Sequence, residues 1–168
     1  TLLDVSLQII DEKGFACFTV RALAETLGVK AASLYPHMSS FDHLKFQLAE
    51  RAATQLCEQL QLSLDRLPEG SPAARLAALA WAYALFAEQF PGRYDCLAAE
   101  PVSGPAMQGL RALLAGEVGK LGGSEAEGAH AMLAFLHGHV LLGRCGLGEP
   151  YAGADGFERG LIALLRGL

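Results

Sequence analysis

The fold of this chain is decided by the stretch TVRALAETLGVKAASLYPH, which occupies residues 19–37. Thr19 can cap a short helix, because its hydroxyl accepts a free N–H of the first turn. The apolar residues of that helix recur at intervals of three or four, and they are Val20, Leu23, Ala24 and Leu27. Gly28 permits the left-handed turn that ends it. Residues 30–37 then predict another short helix, with Val29 and Leu34 as apolar plugs facing the core.

A longer amphipathic helix precedes this pair. Leu3, Leu7 and Ile10 form one apolar face, and the helix is predicted to end near Lys13. Two short helices joined by a glycine turn and packed on a first helix have the geometry of a helix-turn-helix, whose last helix enters the DNA major groove. A coincidental pair of short helices is the alternative that the pattern leaves open.

The rest of the chain also has helical periodicity, so the predicted class is all-α. One helix is expected from Ser39 to about Leu62. The next is expected to begin after the linker at residues 68–72 and to run to the break at Pro91. Ser124 and Glu127 predict a capping box for a helix that runs to about Gly146. A loop at residues 148–153 precedes a last helix.

Composition excludes several classes of protein. The chain has 168 residues and 17.8 kDa, with 52% apolar and 18% charged residues, which predicts a folded core rather than disorder. Its net charge of -5 provides no global attraction to nucleic acid or to an anionic membrane, so any DNA contact must be local.

No targeting, membrane or catalytic signal is recognised. The longest apolar run, residues 76–87, is too short to span a bilayer, and no secretion signal is found at Thr1. The four cysteines lie far apart and form neither a disulfide framework nor a zinc motif, which favours a cytoplasmic location. No phosphate loop, nucleophile elbow or metal-binding histidine pair occurs, so we expect no enzyme activity, no metal and no cofactor.

Residues near the N-terminus resemble the DNA-binding domain of TetR family transcriptional regulators. The matching residues are Leu7, Ile10, Gly14-Phe15, residues 19–24, Gly28-Val29 and residues 33–37. Two further segments are similar to the C-terminal domain type named after a Trp-His-Gly motif. They are Leu136-His137-Gly138 and Phe90-Pro91-Gly92-Arg93-Tyr94.

The resemblance implies a helix-turn-helix domain over residues 1–46 and an effector-binding and dimerisation domain over residues 47–168. It implies base-reading positions at Lys30, Ala31, Ala32 and Ser33. It implies phosphate contacts from Thr19, Tyr35 and His37. The family usually has a lysine where this chain has Phe41, and Lys45 is expected to replace it.

The resemblance also implies an effector pocket and a homodimer. The expected pocket residues are Trp81, Tyr83, Phe86, Met107, Leu110, Leu114, Met132 and Phe135, with His130 or His137 as further polar anchors. The expected dimer contacts are Ala134, Gly138, Leu142, Phe157, Leu161, Leu164 and Leu165. Apolar lining would suit an apolar effector.

The function expected from these features is a repressor that leaves a near-palindromic operator when a small apolar effector binds. Residues 1–46 carry four basic and five acidic groups, a net charge of -1, and a basic arm is expected to precede Thr1. The acidic balance favours an alternative, a helical small-molecule-binding protein that has lost DNA binding. A small helical enzyme is the remaining alternative.

Overall fold

A computed structural model describes residues 1–100, 104–146 and 154–168 of the chain. All regular structure in these residues is helical, which confirms the predicted all-α class. The α-helices described there are α1 (Leu2–Lys13), α2 (Val20–Leu27), α3 (Phe41–Asp65), α4 (Pro72–Gln89), α5 (Pro91–Ala99), α6 (Pro105–Gly119), α7 (Glu125–Arg144) and α8 (Ala154–Gly167). The loop predicted at residues 148–153 lies outside the described residues.

Both ends of α2 form as the sequence predicts. The Thr19 hydroxyl accepts the Ala22 N–H at 3.1 Å, and Gly28 adopts a left-handed φ of 67°. Leu34 plugs the core with 3% of its surface exposed. The prediction for Val29 is wrong, since 44% of its surface is exposed. Its N–H closes the end of α2 on the Ala24 carbonyl, after the chain has left the buried face of that helix.

The segment that follows, residues 30–37, is called the recognition segment below. It forms two 3₁₀ turns, Ala31–Ser33 and Tyr35–His37, rather than the single helix that the sequence predicts. Its N–H groups bond three residues back, as in the 3.1 Å bond from Leu34 to Ala31. Pro36 explains the difference, because it lacks the N–H that an α-helix needs and disfavours the α conformation at Tyr35.

The long helices begin largely as expected. The Ser40 hydroxyl accepts the His43 N–H at 2.9 Å at the start of α3, and the Ser71 hydroxyl accepts the Ala74 N–H at 3.3 Å before α4. The capping box predicted at Ser124 is wrong, since its side chain makes no capping bond. Its backbone carbonyl instead accepts the Gly128 N–H at 2.8 Å and closes the first turn of α7.

Contacts divide the chain into two compact units. The first unit contains Thr1–Cys57 and Phe86–Gln108, and the second contains Glu58–Leu85 and Gly109–Leu168. Both α3 and α4 contribute residues to each unit. The functional boundary expected between residues 46 and 47 falls inside α3 and stays a prediction. No helix of the described ranges combines the length and the apolar content needed to cross a bilayer.

In the first unit, α5 packs closely against α1. Arg93 Nε donates to Asp11 Oδ1 at 2.8 Å, and its guanidinium lies 5.0 Å from the centre of the Phe90 ring. The hydrogen bond to Asp11 raises the pKa of Arg93. Gly92 makes the close approach possible, because a Cβ there would overlap the Ile10 carbonyl oxygen.

Replacement of Gly92 by alanine is expected to destabilise the chain by about 2 kcal/mol, because the added methyl forces α5 away from the α1 backbone. Urea unfolding of both proteins measures the difference. Gly109→Ala is the matched control, since a Cβ at Gly109 meets no atom within 4 Å. Equal stability of Gly92→Ala and the parent chain would contradict the α1–α5 packing.

In the second unit, a buried ion pair joins α4 to α6. Arg75 donates to both carboxylate oxygens of Glu117, at 2.9 and 2.8 Å, and Lys120 donates to the same carboxylate at 2.7 Å. Arg75 also donates to the Leu67 carbonyl at 2.7 Å, which fixes the loop before α4. The hydrogen bonds from Arg75 lower the pKa of Glu117 to about 2.

Candidate functional site

The recognition segment presents its side chains to solvent around one buried anchor. Residues 30–33 and residues 35–37 are exposed, and Leu34 holds the segment on the core between them. Tyr35 has 59% of its surface exposed, so its ring and hydroxyl are accessible to a partner. All the residues expected to read bases or grip phosphates in this segment are therefore accessible.

Thr19 lies at the N-terminal end of α2 and is also exposed. Its hydroxyl oxygen accepts the Ala22 N–H, so its proton remains available as a donor. A helix N-terminus attracts anions through its partial positive charge. Thr19 can therefore donate a hydrogen bond to a phosphate at this end of α2.

The charges near this surface are partly neutralised within the first unit. Lys45 Nζ pairs with Asp42 at 2.8 Å and Glu100 at 3.5 Å, and Arg21 pairs with Glu25 at 2.8 Å. The hydrogen bond from Lys45 to Asp42 raises the pKa of Lys45. Lys45 is thus held by carboxylates of its own chain, and it must exchange at least one of them to grip a phosphate.

Phe41 stands where a lysine is usual in the resembling family, and it serves the core instead. Its ring packs on Phe18 with 5.0 Å between ring centres, and Phe18 is 5% exposed. Lys45 Nζ lies 5.8 Å from the centre of the Phe41 ring. The start of α3 is therefore stabilised by aromatic packing at the cost of one cationic side chain.

The residues expected to line an effector pocket are distributed over both units. Phe86 and Met107 belong to the first unit, whereas the other six belong to the second. Leu110, Leu114 and Met132 are at most 1% exposed and form core. Tyr83 is also buried, Phe135 is half-buried, and Trp81 is 43% exposed.

A surface groove of about 390 Å³ lies in the second unit between α6 and α7. Its lining residues are Arg111, Ala112, Ala115, Ala126, Ala129, His130 and Leu133. Of these residues, only His130 is expected from the sequence, as a polar anchor. The missed signal is a set of alanines at helical spacing on two neighbouring helices, which leaves space where larger side chains would interlock.

An aromatic cluster joins α4, α7 and α8 within the second unit. The Phe157 ring lies 4.6 Å from Trp81, 5.6 Å from Phe135 and 4.6 Å from His139, measured between ring centres. Burial lowers the pKa of His139. The predicted pocket residues Trp81 and Phe135 therefore pack on the predicted dimer residue Phe157.

The residues expected to form a dimer interface separate into two groups. Phe157 and Leu161 are 1% and 2% exposed and pack inside the second unit, while Leu164 and Leu165 are half-buried. Ala134 is exposed, Gly138 is half-buried, and Leu142 is 48% exposed. Leu141 and Ile162, at 41% and 42% exposed, are further apolar surface residues beyond the expected dimer contacts.

The described residues contain no group of three histidine, cysteine, aspartate or glutamate side chains that could hold a metal ion. The motif similar to Trp-His-Gly lies on α7, where Leu136 is buried with 1% exposed. Pro91 of the second such segment occupies the first position of α5. The first segment therefore lies within α7, and the second consists of the cap residue Phe90 and the first turn of α5.

Comparison with known proteins finds a family model that matches the N-terminal part of the chain. Residues 2–44 match the family model of bacterial regulatory proteins, tetR family. An uncharacterized HTH-type transcriptional regulator of Mycobacterium tuberculosis is 29% identical over 159 residues, which cover 88% of this chain and 70% of the relative. The N-terminal part is therefore similar to the regulatory proteins of the tetR family.

Solved structures share the fold over nearly the whole chain. A possible TetR family transcriptional regulator from Streptomyces coelicolor aligns with a TM-score of 0.78 and 21% identity, covering 99% of this chain and 96% of that chain. A TetR variant from Acinetobacter baumannii, in complex with minocycline, aligns with a TM-score of 0.67 and 24% identity, covering 99% and 93%. The chain has the all-α TetR fold.

Proposed function

We propose that this chain is a DNA-binding repressor of the TetR type, which acts as a homodimer and leaves its operator when a small effector binds. One observation carries the proposal. The segment that the family model covers presents residues 30–33 and residues 35–37 to solvent around the buried Leu34. Exposed donors and small side chains on a rigidly anchored segment suit insertion into a DNA groove.

Base reading falls to the first half of the recognition segment. Lys30 can donate to the acceptors of guanine in the major groove, and the methyl groups of Ala31 and Ala32 can contact thymine methyls. Ser33 can donate or accept. Tyr35, His37 and Thr19 position the chain through phosphates, with Lys45 as a further contact once it leaves Asp42 or Glu100.

A homodimer is supported by an apolar face on α7. Ala134, Gly138, Leu141 and Leu142 are spaced by four, three and one residues, so they lie on one side of the helix. Leu164 and Leu165 of α8 are half-buried and extend the candidate surface. Two recognition segments about 34 Å apart would read half-sites one helical turn apart.

Effector binding is proposed for the C-terminal domain. The expectation of a largely apolar effector rests on the apolar side chains of α4, α6 and α7, and the Acinetobacter structure with minocycline shares this fold. An effector that favours a different spacing of the recognition segments would release DNA by population shift. A non-enzymatic role, a cytoplasmic location and membership of the Trp-His-Gly subgroup complete the proposal.

The charge of residues 1–46 favours a second candidate, a ligand-binding protein without DNA affinity. Two of the four cations, Arg21 and Lys45, pair with carboxylates of this chain. Lys13 and Lys30 remain as the cations of residues 1–46 without such a partner. Because each phosphate contact contributes to affinity and salt dependence, this candidate predicts weak and unspecific DNA binding.

Tyr35→Ala is expected to weaken binding to DNA enriched from a random pool by about tenfold, since it removes an exposed phosphate-gripping side chain. Fluorescence anisotropy with a labelled duplex measures the change, and sedimentation shows whether the dimer is retained. Leu62→Ala is the control, because Leu62 is similarly exposed, at 58%, but belongs to the second unit. Equal affinity of Tyr35→Ala and the parent chain would refute the proposal that the recognition segment contacts DNA.

A further inference from the structure

The groove between α6 and α7 owes its shape to small side chains. Ala112 and Ala115 face it from α6, and Ala126 and Ala129 face it from α7. Ala129 is 5% exposed and forms part of the floor. Methyl groups leave unfilled space between two packed helices, and the resulting volume of about 390 Å³ is within the range of small-molecule sites.

Two polar side chains line the same groove and are exposed at its rim. Arg111 lies on α6 and His130 on α7. Within the described part of the chain, no carboxylate forms an ion pair with Arg111. The Glu125 side chain, an acid near the start of α7, lies against Gly119, which is about 12 Å from Arg111 along the α6 axis.

The groove thus combines an apolar floor with a guanidinium that no carboxylate of the described residues pairs with. Arginine presents planar donors that match the two oxygens of a carboxylate, and such paired bonds are stronger than neutral ones. An uncharged ligand would gain no attraction from this exposed guanidinium, whereas a fully polar anion would not use the alanine floor. The charge of Arg111 and the apolar floor therefore both favour a molecule with a carboxylate and an apolar body.

We propose that the α6–α7 groove binds a small amphipathic carboxylic acid, with its apolar body on the alanines and its carboxylate on Arg111, assisted by His130. The inference concerns the effector half of the proposed function and takes its regulatory meaning from it. It places the ligand beside the expected pocket residues Leu110, Leu114 and Met132, on neighbouring faces of the same two helices.

The test uses the full chain with carbon-13 labelled alanine methyl groups and 4-phenylbutyrate as the probe. Binding is followed in the absence of DNA by the methyl signals of Ala112, Ala115, Ala126 and Ala129. We expect these four signals to shift together. Arg111→Gln should weaken binding about tenfold, and 4-phenylbutyramide should bind the parent chain as weakly as the carboxylate binds that variant.

Two further variants locate the site. Ala115→Leu fills the groove and should abolish binding of both probes. Arg159→Gln removes an exposed arginine of α8 that does not line the groove, and it should bind like the parent chain. Equal weakening by Arg111→Gln and Arg159→Gln would overturn the proposal, as would unshifted groove methyls at millimolar probe.

Failure of this inference is distinguishable from failure of the proposed function. DNA binding is measured without the probe, and probe binding is measured without DNA. If the chain selects DNA but the alanine methyl signals of the groove do not shift, only the groove proposal is overturned. Groove binding by a chain that selects no DNA supports the groove and favours the ligand-binding candidate.

Discussion

Replacement of Glu117 by glutamine is expected to lower the free energy of unfolding by about 3 kcal/mol at neutral pH. Glu117 is 4% exposed, and the substitution leaves the Arg75 guanidinium, 15% exposed, without a countercharge. For a chain of this length such a loss lowers the melting temperature by about 10 °C. Thermal and urea unfolding measure both quantities.

The pH dependence gives this prediction a second readout. The hydrogen bonds from Arg75 hold the pKa of Glu117 at about 2, below its value of 4.5 in an unfolded chain. A depressed carboxyl pKa contributes stability that is fully present above about pH 4.5 and is lost as the pH falls through 2. The difference between the parent chain and Glu117→Gln should therefore shrink over that interval.

Matched variants separate the ion pair from general effects of charge. Glu127→Gln removes an exposed acid of α7 and should change stability by less than about 0.5 kcal/mol. The double variant Arg75→Met with Glu117→Leu should recover part of the loss, because no buried charge remains unpaired. Recovery stays incomplete, since Arg75 also bonds the Leu67 carbonyl. If Glu117→Gln is as stable as the parent chain, the expected contribution of the Arg75–Glu117 ion pair to stability is contradicted.

Gly138→Leu is expected to weaken the proposed dimer at least about a hundredfold, because a large side chain separates the α7 faces of two protomers. A Cβ at Gly138 meets no atom of its own chain within 4 Å, so the folded protomer accommodates the substitution. Sedimentation equilibrium measures the association, and circular dichroism verifies the helical fold. Loss of the dimer should also remove most of the DNA affinity, since one half-site alone binds weakly.

Gly116→Leu is the control for this prediction. Gly116 lies on α6 and is exposed, and a Cβ added there likewise meets no atom within 4 Å. The substitution introduces the same apolar surface away from the proposed interface and should leave the association unchanged. Equal dimerisation of Gly138→Leu and Gly116→Leu would place the interface elsewhere.

Local signals predict the N-terminal elements well. Thr19 and Gly28 bracket α2, because a hydroxyl at the first position and a glycine after the last fix a helix largely from within. Periodicity predicts that the recognition segment is one helix. Pro36 disfavours a continuous α-helix, and the segment forms two 3₁₀ turns instead.

Helical periodicity does not predict contacts between residues that are far apart in the sequence. An apolar stripe marks Leu114 and Met132 as buried, but it does not distinguish a pocket wall from core. Glu117 carries no local sign that Arg75, 42 residues earlier, will pair with it. The α6–α7 groove depends on which alanine faces meet, and that is decided by the packing of the helices rather than by either helix's own sequence.

The central claim, a dimeric DNA-reading regulator, is tested most directly by selecting bound duplexes from a random pool with the full chain. The enriched duplex is then bound at two salt concentrations. We expect a near-palindrome with half-sites about one helical turn apart and an affinity that falls steeply with salt. A folded dimer that enriches no sequence would contradict the claim and favour the ligand-binding candidate.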